Sequence, residues 1–202
     1  DPSVVDEDEV YRITGLARVF HSEKEAMQAL KGLSDRTIKP GDVIVLCIRG
    51  PLGAGMEEVA QITLALKHLP WGKEVALLTD ARFSGVSTGA CIGHVGPEAL
   101  AGGPIGKLEE DDLIRIEINR KTLEGKIDFV GSVEKTVSPD EGGQILASRK
   151  SHPGLSPDPR MPADSRLWAA LQNVGGGTWG GCIYEVDEII RRLEAPEVPP
   201  EK

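Results

Sequence analysis

At 202 residues, with 40% hydrophobic and 27% charged side chains, the chain has the composition of a globular protein carrying one full core, or one domain plus an extension. Its 32 acidic against 23 basic residues give a formal charge of −9, and there is no Lys/Arg cluster to offset it, which argues against nucleic acid as a partner. No apolar run is long enough to span a membrane, and Asp1–Glu9 is too acidic for a signal peptide. The three scattered cysteines Cys47, Cys91 and Cys182 fit neither a local zinc site nor a disulfide framework. A cytoplasmic protein with no membrane partner is expected. The start at Asp1, with no initiator Met and an acidic stretch over 1–9 that reads as a flexible segment, suggests a piece of a longer protein.

Val10 to Phe20 reads as a strand. Ser22-Glu23-Lys24-Glu25 has the form of a capping box, and Ala26, Met27, Leu30 and Leu33 follow at helical spacing. Pro40-Gly41-Asp42 is a turn into the apolar run Val43–Ile48, whose β-branching predicts a strand buried on both faces. A glycine-rich loop over Gly50–Gly55 then leads to a helix expected from about Glu58 toward His68, with Val59, Ile62, Leu66 and Leu69 on one face. Val75–Thr79 is a second buried strand, completing βαβ grammar. Alternation of Ile114, Ile116 and Ile118 with charged or polar residues predicts a strand with one wet face, and Leu123–Val130 its hairpin partner. Beyond Gly131 the chain is rich in Pro, Gly and charge. Short helices are expected after Ser138, near Ser165–Gln172 and over Glu185–Leu193. The fold class is α/β.

The densest polar cluster is Thr79-Asp80-Ala81-Arg82-Phe83-Ser84-Gly85, directly after a buried strand, where ligands gather in open α/β sheets. If the two buried strands are neighbours, Glu58 and Ser84 approach one crevice, and a helix starting near Glu58 would turn its positive end toward an anionic substrate. The same glycine loop equally fits a tight connection, with Glu57 and Glu58 as first-turn acids. Gly85-Val86-Ser87-Thr88-Gly89 also matches the G-x-S-x-G pattern of a serine hydrolase, although Asp80–Ser84 separate it from the strand. His94 reads as a structural histidine between apolar neighbours, and His21, His68 and His152 show no metal-ligand spacing. Trp168 and Trp179 read as packing or interface anchors. A non-catalytic binding or assembly module is a third alternative.

At these residues the chain resembles the dihydroxy-acid dehydratase and phosphogluconate dehydratase family. The resemblance rests on 17–23 (Ala-Arg-Val-Phe-His-Ser-Glu), 39–43 (Lys-Pro-Gly-Asp-Val), 50–58, 79–85, 93–98 (Gly-His-Val-Gly-Pro-Glu) and 102–105 (Gly-Gly-Pro-Ile), in order and spacing. Ala81, where the amino-acid biosynthetic branch has Gly, is similar to the sugar-acid branch. The tail Arg166–Gln172 with Gly176-Gly177-Thr178-Trp179 resembles the D-xylonate dehydratase group. The resemblance implies a swivelling β/β/α C-terminal domain like one in aconitase, as a mixed sheet or small barrel, over 10–131, with an extension over 132–202. It implies dehydration of a sugar acid to a 2-keto-3-deoxy acid, with an iron–sulfur cluster and Mg²⁺ held mainly by an N-terminal domain and neither held by this piece alone.

By the same resemblance Ser84 is the base that takes the substrate's α-proton, and Glu58 reaches the Mg²⁺. Where the family often has a substrate-binding Thr two residues beyond the base, this chain has Val86, so Ser87 or Thr88 would make that contact. The expected partners are its own N-terminal domain, a sugar acid and further copies in a dimer or tetramer. An isolated piece would be inactive.

Overall fold

A computed structural model describes residues 1–85 and 87–195 of the protein. Five parallel or antiparallel pairings join six strands into one mixed sheet. The long strand β1 (Val10–Phe20) pairs in parallel with β2 (Val43–Leu46) and antiparallel with β7 (Leu113–Asn119). On one side β2 continues in parallel to β4 (Ala76–Thr79) and β6 (Ala90–Ile92); on the other, β7 turns back antiparallel into β8 (Glu124–Phe129). The order β6-β4-β2-β1-β7-β8 leaves an edge at each end, so of the two expected forms the mixed sheet is the one adopted.

The apolar runs become strands because alternate residues reach two separate cores. Val43, Val45, Ala76 and Leu78 pack on one face with Ala17 and Val19, while Ile44, Leu46 and Leu77 pack on the other with Phe20. Burial on both faces removes any need for polar alternation. The second face is covered by α1 (Glu23–Leu30) and α3 (Gln61–His68) through Ala26, Ala29, Ile62 and Leu66. Ala99, Ile105 and Leu146, the last from α4 (Pro139–Ser148), cover the first. Gly15 is required in β1 because the Pro40-Gly41 turn crosses it: a Cβ there would lie 2.0 Å from the Gly41 carbonyl.

Ser22 caps α1 by accepting the Glu25 N–H at 3.2 Å, but the Glu25 carboxylate meets the His21 N–H at 3.4 Å, one residue before the reciprocal bond of a full capping box. Ser138 likewise caps α4. The tail forms α5 (Ala163–Val174) and α6 (Val186–Leu193). Among the described residues no helix is long and apolar enough to cross a membrane.

Two expectations for the glycine loop fail. The loop contains a one-turn helix, α2 (Pro51–Ala54), and Glu58 does not start a helix. It lies in a two-residue strand, β3 (Glu58–Val59), paired in parallel with β5 (Arg82–Phe83). The following helix begins at Gln61, and the Glu23 carboxylate accepts the Gln61 and Ile62 amides at 2.7 and 3.1 Å. Its positive end is therefore already satisfied from α1 and is not turned toward an anionic ligand.

Candidate functional site

Because β2, β4 and β6 are parallel and adjacent, their carboxyl ends release three segments at one end of the sheet, which begin at residues 47, 80 and 93 and the last of which runs to Ala99. Two buried carboxylates tie these loops together. Asp80 accepts the amides of Ile48 (3.2 Å), Arg49 (2.8 Å) and Ala99 (3.1 Å), so one side chain joins all three segments. Glu98 accepts the Leu52 amide in the first turn of α2 at 3.0 and 3.2 Å through its two oxygens. Burial holds the Asp80 carboxyl above its ordinary range despite the amides that favour its charge. Burial also pushes Glu98 up to about 7, opposed by the Leu52 amide and reinforced by the charge of Asp80.

Ile48, Met56 and His94 all adopt left-handed backbone (φ 69°, 61° and 53°), a costly conformation for side chains of this kind. At Ile48 it ends β2 two residues before the expected limit and turns the amide to Asp80. Such strain persists only where surrounding contacts fix it, and at Ile48 the Asp80 carboxylate supplies one. Neither Glu98 nor the three-loop role of Asp80 is visible in the sequence; the one available signal is an acid embedded in a Gly-Pro turn at 96–98.

β3 and β5 form the rim of this end. Their register sets Glu58 opposite Arg82, and the Arg82 guanidinium pairs with the Glu58 carboxylate at 2.8 Å while its Nε donates to the Met56 carbonyl at 3.1 Å. Phe83 turns inward onto the second core. Ser84 follows β5 directly and is half-buried. The exposed Ser87 donates its hydroxyl to the Ser84 carbonyl at 3.2 Å. Thr88 is buried, and its hydroxyl donates to the Asp1 carboxylate at 3.4 Å. Val86, the expected departure from the family pattern, lies outside the described residues.

The G-x-S-x-G match does not form a nucleophile elbow. Ser87 lies in a loop that runs into β6, where an elbow needs a helix, and among the described residues no histidine hydrogen-bonds to it. His94 is exposed at a cavity it lines with Met56, Asp80 and Thr178, not packed among its apolar neighbours. His21 and His152, far apart in sequence, meet edge to face with ring centroids 4.5 Å apart.

The chain's own donors do not fit an iron–sulfur cluster. The three cysteines are unpaired, and burial raises each thiol, Cys47 to about 12, which opposes the thiolate form a cluster needs. Among the described residues no group of three or more His, Cys, Asp or Glu side chains is arranged to hold a metal ion. Glu58 can offer one hard oxygen donor, suited to Mg²⁺ as part of a larger set and paired with Arg82 at present.

Residues 2–148 match the family model for the dihydroxy-acid/6-phosphogluconate dehydratase C-terminal region. The chain is 56% identical over 195 residues to the D-xylonate dehydratase YagF of Escherichia coli K12, covering 96% of this chain and 29% of that protein. It is 57% identical over 191 residues to the D-xylonate dehydratase YjhG of the same organism, covering 94% and 29%. Against the dihydroxy-acid dehydratase of Clostridium botulinum it is 53% identical over 114 residues, covering 56% and 20%. The chain thus spans less than a third of the length of the curated relatives it matches.

Proposed function

The chain belongs to the dihydroxy-acid/6-phosphogluconate dehydratase C-terminal family, and on that premise we propose that it is the C-terminal domain of a hydro-lyase that dehydrates a sugar acid, an aldonate such as D-xylonate, to a 2-keto-3-deoxy acid. The observation that supports this reading is the β3–β5 pairing, which sets the Glu58 carboxylate against the Arg82 guanidinium, with Ser84 the next residue after β5. Ser84 would take the proton from the carbon next to the substrate carboxylate while the 3-hydroxyl departs as hydroxide. A serine hydroxyl is a base only where positive charge favours its alkoxide. Arg82, two residues earlier, is the cation this chain brings nearest in sequence, and its partner Glu58 holds it at the rim.

The iron–sulfur cluster and Mg²⁺ would be held mainly by an N-terminal domain, with Glu58 as the one ligand contributed here. When bound, they supply positive charge to the substrate oxygens. Of Ser87 and Thr88, the exposed Ser87 would make the substrate contact, since Thr88 is buried with its hydroxyl on the Asp1 carboxylate. The partners are that N-terminal domain, the sugar acid and further copies of the chain, in the cytoplasm.

The test is to produce the full-length protein, load it with iron and sulfide, and assay aldonic acids for 2-keto-3-deoxy products. Ser84→Ala is expected to lower kcat by about 10²- to 10⁴-fold, the range for a positioned proton-transfer group, and the 202-residue chain alone to give no turnover. Full turnover by Ser84→Ala removes this residue from the reaction. No product from any aldonate removes the sugar-acid assignment.

A further inference from the structure

The tail helix α5 lies against the glycine loop, and a cleft of about 410 Å³ opens between them. One wall is Gly55, Met56 and Arg82; the other is Asp164, Ser165 and Trp168. The two walls are held in register by contacts on either side. The Asp158 amide donates to the Gly53 carbonyl at 2.7 Å, and the Asp158 carboxylate faces Arg49 at 3.7 Å. Gly55 sits so close to α5 that a Cβ on it would lie 2.7 Å from Cβ of Ser165 and 3.0 Å from its Oγ. Ala169 and Gln172 turn inward, the latter donating to the Cys182 carbonyl at 3.3 Å. Asp164, Ser165 and Trp168, at i, i+1 and i+4, share the helix side that faces the cleft.

We propose that this cleft is the subsite for the distal, hydroxylated chain of the sugar acid, with Asp164 and Ser165 as its hydrogen-bonding wall and Trp168 as its apolar wall. The inference rests on the sugar-acid reading above. Arg82 belongs to both the rim and the cleft, and it stands two residues, roughly 7 Å along an extended chain, from Ser84. A substrate with its first carbons at Ser84 and Glu58 therefore directs its remaining carbons past Arg82.

The donor and acceptor set fits a polyol. Arg82 can only donate, Asp164 can only accept, and the Ser165 hydroxyl does both, while the half-buried Trp168 ring offers a flat face to C–H groups. One Asp164 oxygen accepts the Ser165 amide at 2.9 Å, which holds the carboxylate in place. Its negative charge disfavours the carboxylate end of the substrate here and leaves the neutral hydroxylated end as the group that fits. The α5 wall of the subsite lies beyond the segment matched by the family model, which ends at residue 148, and inside the longer span shared with the two D-xylonate dehydratases.

The experiment uses the full-length protein and D-xylonate as the probe. Asp164→Ala and Trp168→Ala are each expected to raise KM by roughly 10- to 100-fold, the range for losing substrate-specifying contacts, with kcat changed less than 3-fold by the same reasoning. Asp164→Asn and Trp168→Phe, which retain an acceptor and a flat ring, are expected to recover most of the loss. Unchanged KM in both alanine variants overturns the subsite, as does a fall in kcat alone. So does a loss accompanied by a lowered melting temperature that the conservative variants do not repair. If the wild-type protein dehydrates no aldonate, the sugar-acid reading and the subsite fall together; if it does and the variants keep their KM, the subsite alone falls.

Discussion

Replacing Glu98 by Gln should change how the stability of this domain depends on pH. Glu98 is 1% exposed, and its carboxyl is held at about 7 against an ordinary 4.5. The folded chain therefore keeps a proton that the unfolded chain gives up. Below pH 4.5 both states are protonated and Glu98 imposes no charge penalty. Between pH 4.5 and about 7 stability falls as pH rises, and above that the penalty is constant. At about 1.4 kcal/mol for each pH unit of the gap, the loss is about 3 kcal/mol across the window. Gln is neutral throughout and keeps an acceptor for the Leu52 amide.

The assay is urea unfolding of the 202-residue chain, followed by tryptophan fluorescence, at steps from pH 4.5 to 8. Asp80, also raised by burial, acts in the same direction, whereas His21, lowered chiefly by burial, acts in the opposite one as pH falls. Both remain in either protein, so the difference between the two curves reports Glu98 together with its coupling to Asp80. A variant relatively more stable at pH 8 than at pH 4.5, by about the amount above, supports the assignment. Parallel curves refute it.

Two stability predictions accompany those already made for Ser84, Asp164 and Trp168. Gly15→Ala should cost roughly 3 kcal/mol, the upper end for overpacking, because the new methyl meets the Gly41 carbonyl, a backbone atom that cannot rotate away; a urea midpoint equal to wild type would contradict the packing. Asp112→Ala should cost about 3–5 kcal/mol, since it strands Arg149, which bonds both Asp112 oxygens at 2.5 and 3.0 Å. A change below roughly 1 kcal/mol, the scale of an exposed pair, would show that the pair is solvated in solution.

The parts of the fold written in local periodicity were legible. β1 runs over the expected residues, and the β7–β8 hairpin follows from the alternation of isoleucines with charged residues. Ser138 before Pro139 announces α4 because capping is a matter of three or four neighbouring residues. Glu58 was misplaced as a helix start because its partner in β5 is 24 residues away and the cap of α3 comes from Glu23. At the site, the buried acids that fix the surrounding loops do not stand out in the sequence. Asp80 and Glu98 acquire meaning only through amides 19 to 46 residues distant, at Ile48, Arg49, Leu52 and Ala99. Nothing local reveals that α5, which carries Trp168, folds back on a loop more than 100 residues earlier.

Glu23 serves two helices with one charge. It occupies the first turn of α1 and at the same time closes the opening amides of α3. When the start of α1 unravels, α3 is left with two bare donors at its own start. The two helices over the second core are thus coupled at their openings, and fraying of one start weakens the other.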